Sequence, residues 1–356
     1  MALSKDELID TALISYSAAP EVEKLISGMG RTEDMKFSPD YRWLAILSYD
    51  DNVIYLYSTN IKYRNNAKIV DIQKYIIIRS KCLREPHGIS FIENTHIIIA
   101  NRAGVISILN LPADSENNTE VKIEPIATIK SNYKCRVKTP GSVASFKVDD
   151  GNFRVLACNT FIHTVTAHNV NVLRDIKVKN EGVLIREGLS IPDGICVSPD
   201  GNWVAVSNHS TGTVLLYRLE PELNKKTKPC GVLEGIVCPH AIRFSKDGHM
   251  LFVADAGSPY MHIYKTPHGD WRSTQKPYKS IRMLSEDVFS LGRYNAEEGG
   301  IKGIDIDCKN NILAVTCEHL PLAFYDLDDV LGMSSLQIDD EIKEKSLLRD
   351  HEIMGF

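Results

Sequence analysis

Apolar and polar positions alternate in short runs that recur six times along the chain, each an opening strand, a Pro/Asp/Gly/Asn corner and a returning strand. In single letters the copies read TEDMKFSPDYRWLAILSYD from Thr32, PHGISFIENTHIIIANRAG from Pro86, PGSVASFKVDDGNFRVLACNT from Pro140, PDGICVSPDGNWVAVSNHSTG from Pro192, PHAIRFSKDGHMLFVADAG from Pro239 and IKGIDIDCKNNILAVTCEH from Ile301. Anchored on a shared inner apolar residue, Phe37, Phe91, Phe146, Val197, Phe244 and Ile306, they lie 54, 55, 51, 47 and 62 residues apart. Periods of this size belong to arrays of supersecondary units.

Within a copy the first strand alternates, as at Ile89 and Phe91 against Gly88 and Ser90, while the second is a continuous apolar run such as Ile97, Ile98, Ile99 and Ala100. A strand apolar on both faces has a sheet packed on each side. Third strands are expected at 53–57, 104–109, 213–217 and 261–264, and outer fourth strands at 125–129, 182–185 and 231–235. The corners Ser198 to Gly201, Ser245 to Gly248 and Asp149 to Asn152 supply the positive φ of tight hairpins. Four antiparallel strands in each of six copies predict an all-β fold, a six-bladed β-propeller.

At the N-terminus, Ser4 and Glu7 form a capping box, which predicts a short helix over 5–14 within an extension of residues 1–19. Residues 21–26 fall where an outer strand stands in other copies and are expected to close the sixth blade, whose third strand is 322–325. The propeller then spans 20–326, followed by a charged tail, 327–356, with a helix near 338–348. Two long loops, 111–121 and 266–300, interrupt the array, and loops of the second size are often functional.

Composition narrows the class. At 356 residues, 43% hydrophobic and 24% charged, the chain can bury a large core, and a closed repeat array makes that core one domain. A formal charge of −5 gives no footprint for nucleic acid or an anionic membrane. No continuous apolar run follows Met1, so neither a signal peptide nor a spanning helix is expected, and the cytoplasm is the expected compartment. The eight cysteines show no Cys-x-x-Cys spacing and read as small core residues in a reducing compartment.

Candidate chemistry enters at the residue that opens each innermost strand. Counting back from the anchors, with Pro140 aligned on Pro192, gives Glu33, His87, Gly141, Asp193, His240 and Lys302. In a six-fold ring, copies three apart face each other. Glu33 then faces Asp193, His87 faces His240, and Gly141 faces Lys302. With sheets about 10 Å apart, facing side chains converge on something held at the axis rather than on each other. The second strands end at the same mouth with Tyr49, Asp50, Asn101, Arg102, Asn159, Asn208, His209, Asp255, Glu318 and His319, polar groups that are costly there unless paired or used.

Two imidazoles and two carboxylates suit a divalent transition metal, with a carboxylate beside it as general base. Oxygen ligands from Glu33, Asp193, Asn159 and Asn208 would instead suit calcium or magnesium. The metal set is therefore Glu33, His87, Asp193 and His240; the catalytic set is Asp193, His87 and His240; and Arg102, Asn159, Asn208, His209 and Lys302 are candidates to hold substrate. Each has a plainer reading. Asp193 is a turn former, the two histidines bond neighbouring carbonyls in a wet channel, Lys302 is an ion-pair partner of Glu33 or Asp193, and Arg102 is either an anion clamp or a rim ion pair.

The segment from Ile191 to Asn208, with Pro192, Asp193, Gly194 and the corner Ser198 to Gly201, resembles the gluconolactonase/senescence-marker-protein propellers, divalent-metal lactonases and esterases within the SGL/NHL-like group. The resemblance implies that Asp193 is a metal ligand and general base and Glu33 a second ligand. The family's asparagine ligand in the third blade falls on Gly141, with Asn159 as a candidate substitute, and the two histidines depart from the family pattern. Pro86, His87 and Gly88 are more similar to propeller lyases that use imidazole at the channel mouth.

Together these observations predict a metal-assisted hydrolase or lyase acting on a small polar molecule, of the lactone or ester class, in the central channel. A non-enzymatic scaffold or sensor that binds a protein or small ligand is the alternative, since fold does not imply function. A docking scaffold would spread aromatic and arginine anchors over one face, whereas the distinctive residues here are titratable and converge on the axis.

Overall fold

The structure is a computed structural model and describes residues 12–112, 118–293 and 297–332. The expected tail helix near 338–348 lies outside the described residues, as does most of the helix expected over 5–14, whose last residues form the strand Leu13–Ile14.

The described residues form seven sheets. The all-β propeller reading holds, but the six-bladed count is corrected to seven, and the blades do not all have four strands. Six blades are built on the six repeats. Their innermost strands, Thr32–Phe37, Pro86–Ile92, Pro140–Asp149, Pro192–Val197, Pro239–Phe244 and Gly303–Asp307, stand side by side around the axis, the last against the first. The seventh blade is a three-stranded sheet of Tyr16–Ala18, Ala67–Ile72 and Asn60–Arg64. It has no strand at the axis. Its Val70 and Ile72 pack with Tyr55, Tyr57 and Phe324, so it fills the outer wedge between the first and last repeats. A repeat counted from axial anchors cannot register such a sheet. Its own signal is Asn65–Asn66, both in the left-handed region at φ 50 and 66, a two-residue hairpin turn closing the pair Arg64 and Ala67.

Two repeat blades also gain a fifth, parallel edge strand. Thr119–Lys122 joins Tyr75–Arg79 in the first, and Ser273–Gln275 joins Gly231–Leu233 in the fourth. The propeller closes through its N-terminal segment, as expected, but by different residues: Leu13–Ile14 pairs antiparallel with Ala323–Asp326. Residues 21–26 lie in a helix, Pro20–Ser27, not a strand. Pro20 starts it, and Val22 and Ile26, four apart, are its buried residues.

The corners behave as hairpin chemistry demands, with Gly151, Gly201 and Gly248 at φ 68, 71 and 73. The core lies between blades. The second strands are buried along nearly their whole length, as at Trp43–Ser48 and Met250–Asp255, because each packs against the blades on both sides. No described helix is long and apolar enough to cross a membrane.

Candidate functional site at one channel mouth

Five of the six ring residues carry side chains, and the fold buries all five at one end of the axis: Glu33, His87, Asp193, His240 and Lys302. His87 Nδ1 lies 2.8 Å from the Gly141 carbonyl and His240 Nδ1 lies 2.9 Å from the Lys302 carbonyl. Each imidazole thus donates Nδ1–H to the next blade's ring position and directs Nε2 at the axis. Bonding a neighbouring carbonyl and facing the axis are therefore one arrangement, and a carbonyl partner of this kind fixes the tautomer of metal-binding histidines. The two ring centroids are 5.2 Å apart.

The carboxylates complete the convergence. His240 Nε2 is 3.3 Å from Glu33 Oε2 and 3.2 Å from Asp193 Oδ2, and His87 Nε2 is 3.5 Å from Glu33 Oε2. One ligand atom from each of Glu33, His87 and His240 falls within 4.8 Å of the others. Glu33 Oε2 is buried without a hydrogen-bond partner among the described residues, an orphaned acceptor of the kind a cation satisfies.

The empty ring position in the third blade has a consequence. A Cβ on Gly141 would stand 2.8 Å from Asp193 Oδ1 and 2.4 Å from Thr160 Oγ1. Without it, Arg102 reaches across to Asp193 Oδ1 at 2.7 Å and also donates to His87 Nε2. Arg102 is therefore an ion-pair partner inside the site. Lys302 pairs with Glu33 at 3.4 Å, Glu298 at 3.0 Å and Glu318 at 3.4 Å, and not with Asp193. Arg31 pairs with Glu33 and stacks over Tyr49.

Asn159 and Asn208, candidates for substrate or ion, turn away from the axis. Asn159 Oδ1 accepts from Lys138 N–H and Asn208 Oδ1 from Ser190 N–H, while their amide groups donate within their own blades. Asn101 holds Arg84 N–H and Asp255 holds Val237 N–H in the same way, always two residues before the proline that opens the inner strand. The polar tier at the second-strand ends is largely a repeated clamp on the blade entrance. Asp255 also meets His262, which bonds Ser280, but this Ser–His–Asp set is wholly buried within one blade and serves the sheet.

His209 does face the site, and it reveals a residue the repeat could not supply. Glu298, from the 266–300 loop, pairs with His209 Nε2 at 3.2 Å and with Lys302. That loop also carries the strand Lys279–Arg282 and the helix Glu286–Leu291, capped by Ser285. The resulting cavity, about 340 Å³, is lined by Glu33, His87, Asp193 and His240 of the ring with Arg31, Arg102, Phe161, Ile191, His209, Glu297 and Glu298.

Beneath it the channel is cross-linked. Arg243 donates to Asp305 and to Asp34, each at 2.8 Å, and to the Met35 carbonyl at 3.0 Å. Asp34 also accepts from Ile89 N–H, and Asp305 from Phe37 N–H. One buried cation thereby ties together the inner strands that carry Glu33, His87, His240 and Lys302. On its far side lies a second cavity of about 550 Å³, lined by Lys36, Ser90, Ser145, Cys196 and Arg243.

Electrostatics separate the groups. Burial and the Arg102 cation push His87 down to about 3, so its ring is neutral. Burial opposes charge on His240 as well, but Asp193 and Glu33 outweigh it and raise its pKa. Burial would raise Asp193 and Glu33, yet Arg102 and Lys302 respectively, with the histidines, hold both below the usual carboxylate range. For His209, burial is overcome by hydrogen bonds to Cys238 and Glu298, which raise it to about 10. A raised histidine stabilises the fold fully below its unfolded value near 6.5, and the contribution is lost as pH rises toward 10. Denaturation midpoints are expected to fall across that window, and His209→Gln to flatten the fall. A slope identical in the variant would refute the pairing.

No family model matches the chain, and no curated protein matches it. Three solved structures are similar over most of its length. A protein of unknown function from Desulfotomaculum acetoxidans DSM 771 is 13% identical with a TM-score of 0.52, covering 83% of each chain. A proposed gluconolactonase is 14% identical with a TM-score of 0.53, over 84% of this chain and 89% of that one. A luciferin-regenerating enzyme is 14% identical with a TM-score of 0.51, over 90% of both. At such identities the likeness is one of fold: the chain is built like these propellers, and its site must be read from its own residues.

Proposed function

We propose that the protein is a metal-assisted hydrolase or lyase acting on a small polar molecule, of the lactone or ester class, at this channel mouth. The observation that carries the reading is the convergence of His87 Nε2, His240 Nε2 and Glu33 on the axis, with Glu33 Oε2 facing both imidazoles and accepting no hydrogen bond. Glu33, His87, His240 and Asp193 would hold the ion, with His87 exchanging its contact to Arg102. A divalent cation there supplies Lewis acidity toward a substrate carbonyl. Two structural neighbours, a proposed gluconolactonase and a luciferin-regenerating enzyme, are compatible with chemistry of this kind in such a fold.

The chain's own residues supply the rest. Asp193, held ionised by Arg102, accepts a proton from water or substrate. His240, whose Nδ1–H is held by the Lys302 carbonyl, would serve as an ion ligand through Nε2, and Asp193 returns the proton it accepted to the departing oxygen. Arg102 orients a polar substrate group, Lys302 holds Glu33 and Glu298 in place from behind the cavity, and Glu298 with His209 fixes the loop over one side. Metal content of the purified protein, together with turnover of a panel of lactones and esters, tests this. Asp193→Asn should lose nearly all turnover while the fold is kept. A protein that binds no divalent ion, or an Asp193→Asn variant of undiminished activity, would refute the reading.

A further inference from the structure

The site just described has one wall that the proposed chemistry does not explain. Phe161 and Ile191 are the apolar side chains lining the cavity, against nine polar or charged ones. Phe161 is 56% exposed, although large aromatic rings ordinarily bury themselves, and it lies 5.6 Å over the Arg102 guanidinium. Its place in the repeat, two residues beyond the asparagine clamp, is taken by Ala103 in the second copy and Ser210 in the fourth. Ile191 is as particular. The entrance corner holds Glu85, Thr139 and Ile191 alike in the left-handed region, at φ 53, 47 and 53. Their carbonyls accept from Arg102, Thr160 and His209 N–H in turn. The corner is a shared backbone device, so only the side chain is free to vary, and it is apolar where it faces this cavity. In the first repeat, across the axis, Arg31 has the same entrance role, its carbonyl accepting from Tyr49 N–H, and its side chain is 32% exposed.

From this layout we infer that the substrate, in the reading above, is an amphipathic carboxylate: an apolar or aromatic group rests on Phe161 and Ile191, and the anionic group reaches Arg31 across the mouth. Arg31 is the more exposed of the two arginines in the lining, its side chain 32% exposed against 16% for Arg102, so a carboxylate at the rim can reach its guanidinium beside the Glu33 contact. A volume of about 340 Å³ lies at the small end of ligand cavities, which admits one ring and one acid group.

The test uses the full chain and three probes, phenylacetate, acetate and 2-phenylethanol, titrated calorimetrically with and without added divalent ion. Phenylacetate is expected to bind at least about tenfold more tightly than either of the others, since each lacks one anchor. Phe161→Ala should erase its advantage over acetate, and Arg31→Gln its advantage over 2-phenylethanol. Both side chains lie at the rim, and melting curves confirm that each variant is folded. Equal binding of the three probes, or a preference for phenylacetate that survives Phe161→Ala, overturns the inference while leaving metal binding and turnover to stand on their own. Phenylacetate binding that depends on Phe161 in a protein that takes up no metal would uphold it and refute the metal-assisted reading.

Discussion

Replacing Arg243 with methionine is expected to cost about 3–5 kcal/mol of folding stability, the largest single loss anticipated in the molecule. The size follows from what is left behind. Arg243 is 7% exposed, and its partners Asp34 and Asp305 are 4% and 7% exposed. Burial alone pushes the Asp34 carboxyl up, and the Arg243 cation is the main force opposing that rise. Methionine fills much of the volume but leaves two carboxylates facing each other in the channel with only the partly exposed Lys36, 3.5 Å from Asp305, as counter-charge. The network as a whole is a different matter, because a buried ionic cluster and a neutral one of the same shape are often similar in stability. The triple variant Arg243→Met, Asp34→Asn, Asp305→Asn, which keeps acceptors for Ile89 and Phe37 N–H, should recover most of the loss. Urea denaturation of the two proteins decides the point. A single-variant loss under about 1 kcal/mol would mean that the acids take up protons or water at little cost, and that the cross-link is not what holds these strands.

Much of this was legible in the sequence, and the parts that were not share a cause. Repeat phase placed Glu33, His87, Gly141, Asp193, His240 and Lys302 in one ring because they occupy one backbone position, and position is what a repeat records. It could not record Glu298, which arrives from an inserted loop, nor the three-stranded seventh blade, which has no axial strand. It also gave Asn159 and Asn208 the wrong-facing side chain. An amide at the end of a second strand has two possible customers, the cavity and the backbone two residues before the next proline, and the backbone is nearer. A proline two residues after an unpaired N–H is the cue that marks such an asparagine as a clamp. Residues 21–26 misled for a different reason. Val22 and Ile26 are spaced for a helix and Pro20 sits at its start, but the expected place of a closing strand overrode that local signal. Arg243 was hidden for the simplest reason, since an arginine within an inner strand reads as an outward-facing residue until the ring is closed around it.

Glu33→Gln is expected to lower divalent-metal affinity by at least about 100-fold, more than loss of an outer-shell partner usually does. Glu33 is wholly buried, and its two oxygens have divided roles. Oε1 meets Arg31 and Lys302, while Oε2 faces His87 and His240 without a hydrogen bond. Glutamine keeps the shape and an oxygen acceptor for Lys302, which retains Glu298 and Glu318 as well. The fold should therefore persist, whereas the negative charge that would draw a cation between two neutral or shared imidazole nitrogens is gone. Cobalt(II) titration followed by its visible absorption reads both affinity and donor set. Wild-type protein should show a band characteristic of nitrogen and oxygen ligands that His87→Ala and His240→Ala each alter, and Glu33→Gln should require far more cobalt to reach it. If Glu33→Gln binds within threefold of wild type, roughly 0.7 kcal/mol, Glu33 is only the counter-ion of Arg31 and Lys302. The ring would then be an ionic seal across the channel rather than a metal site.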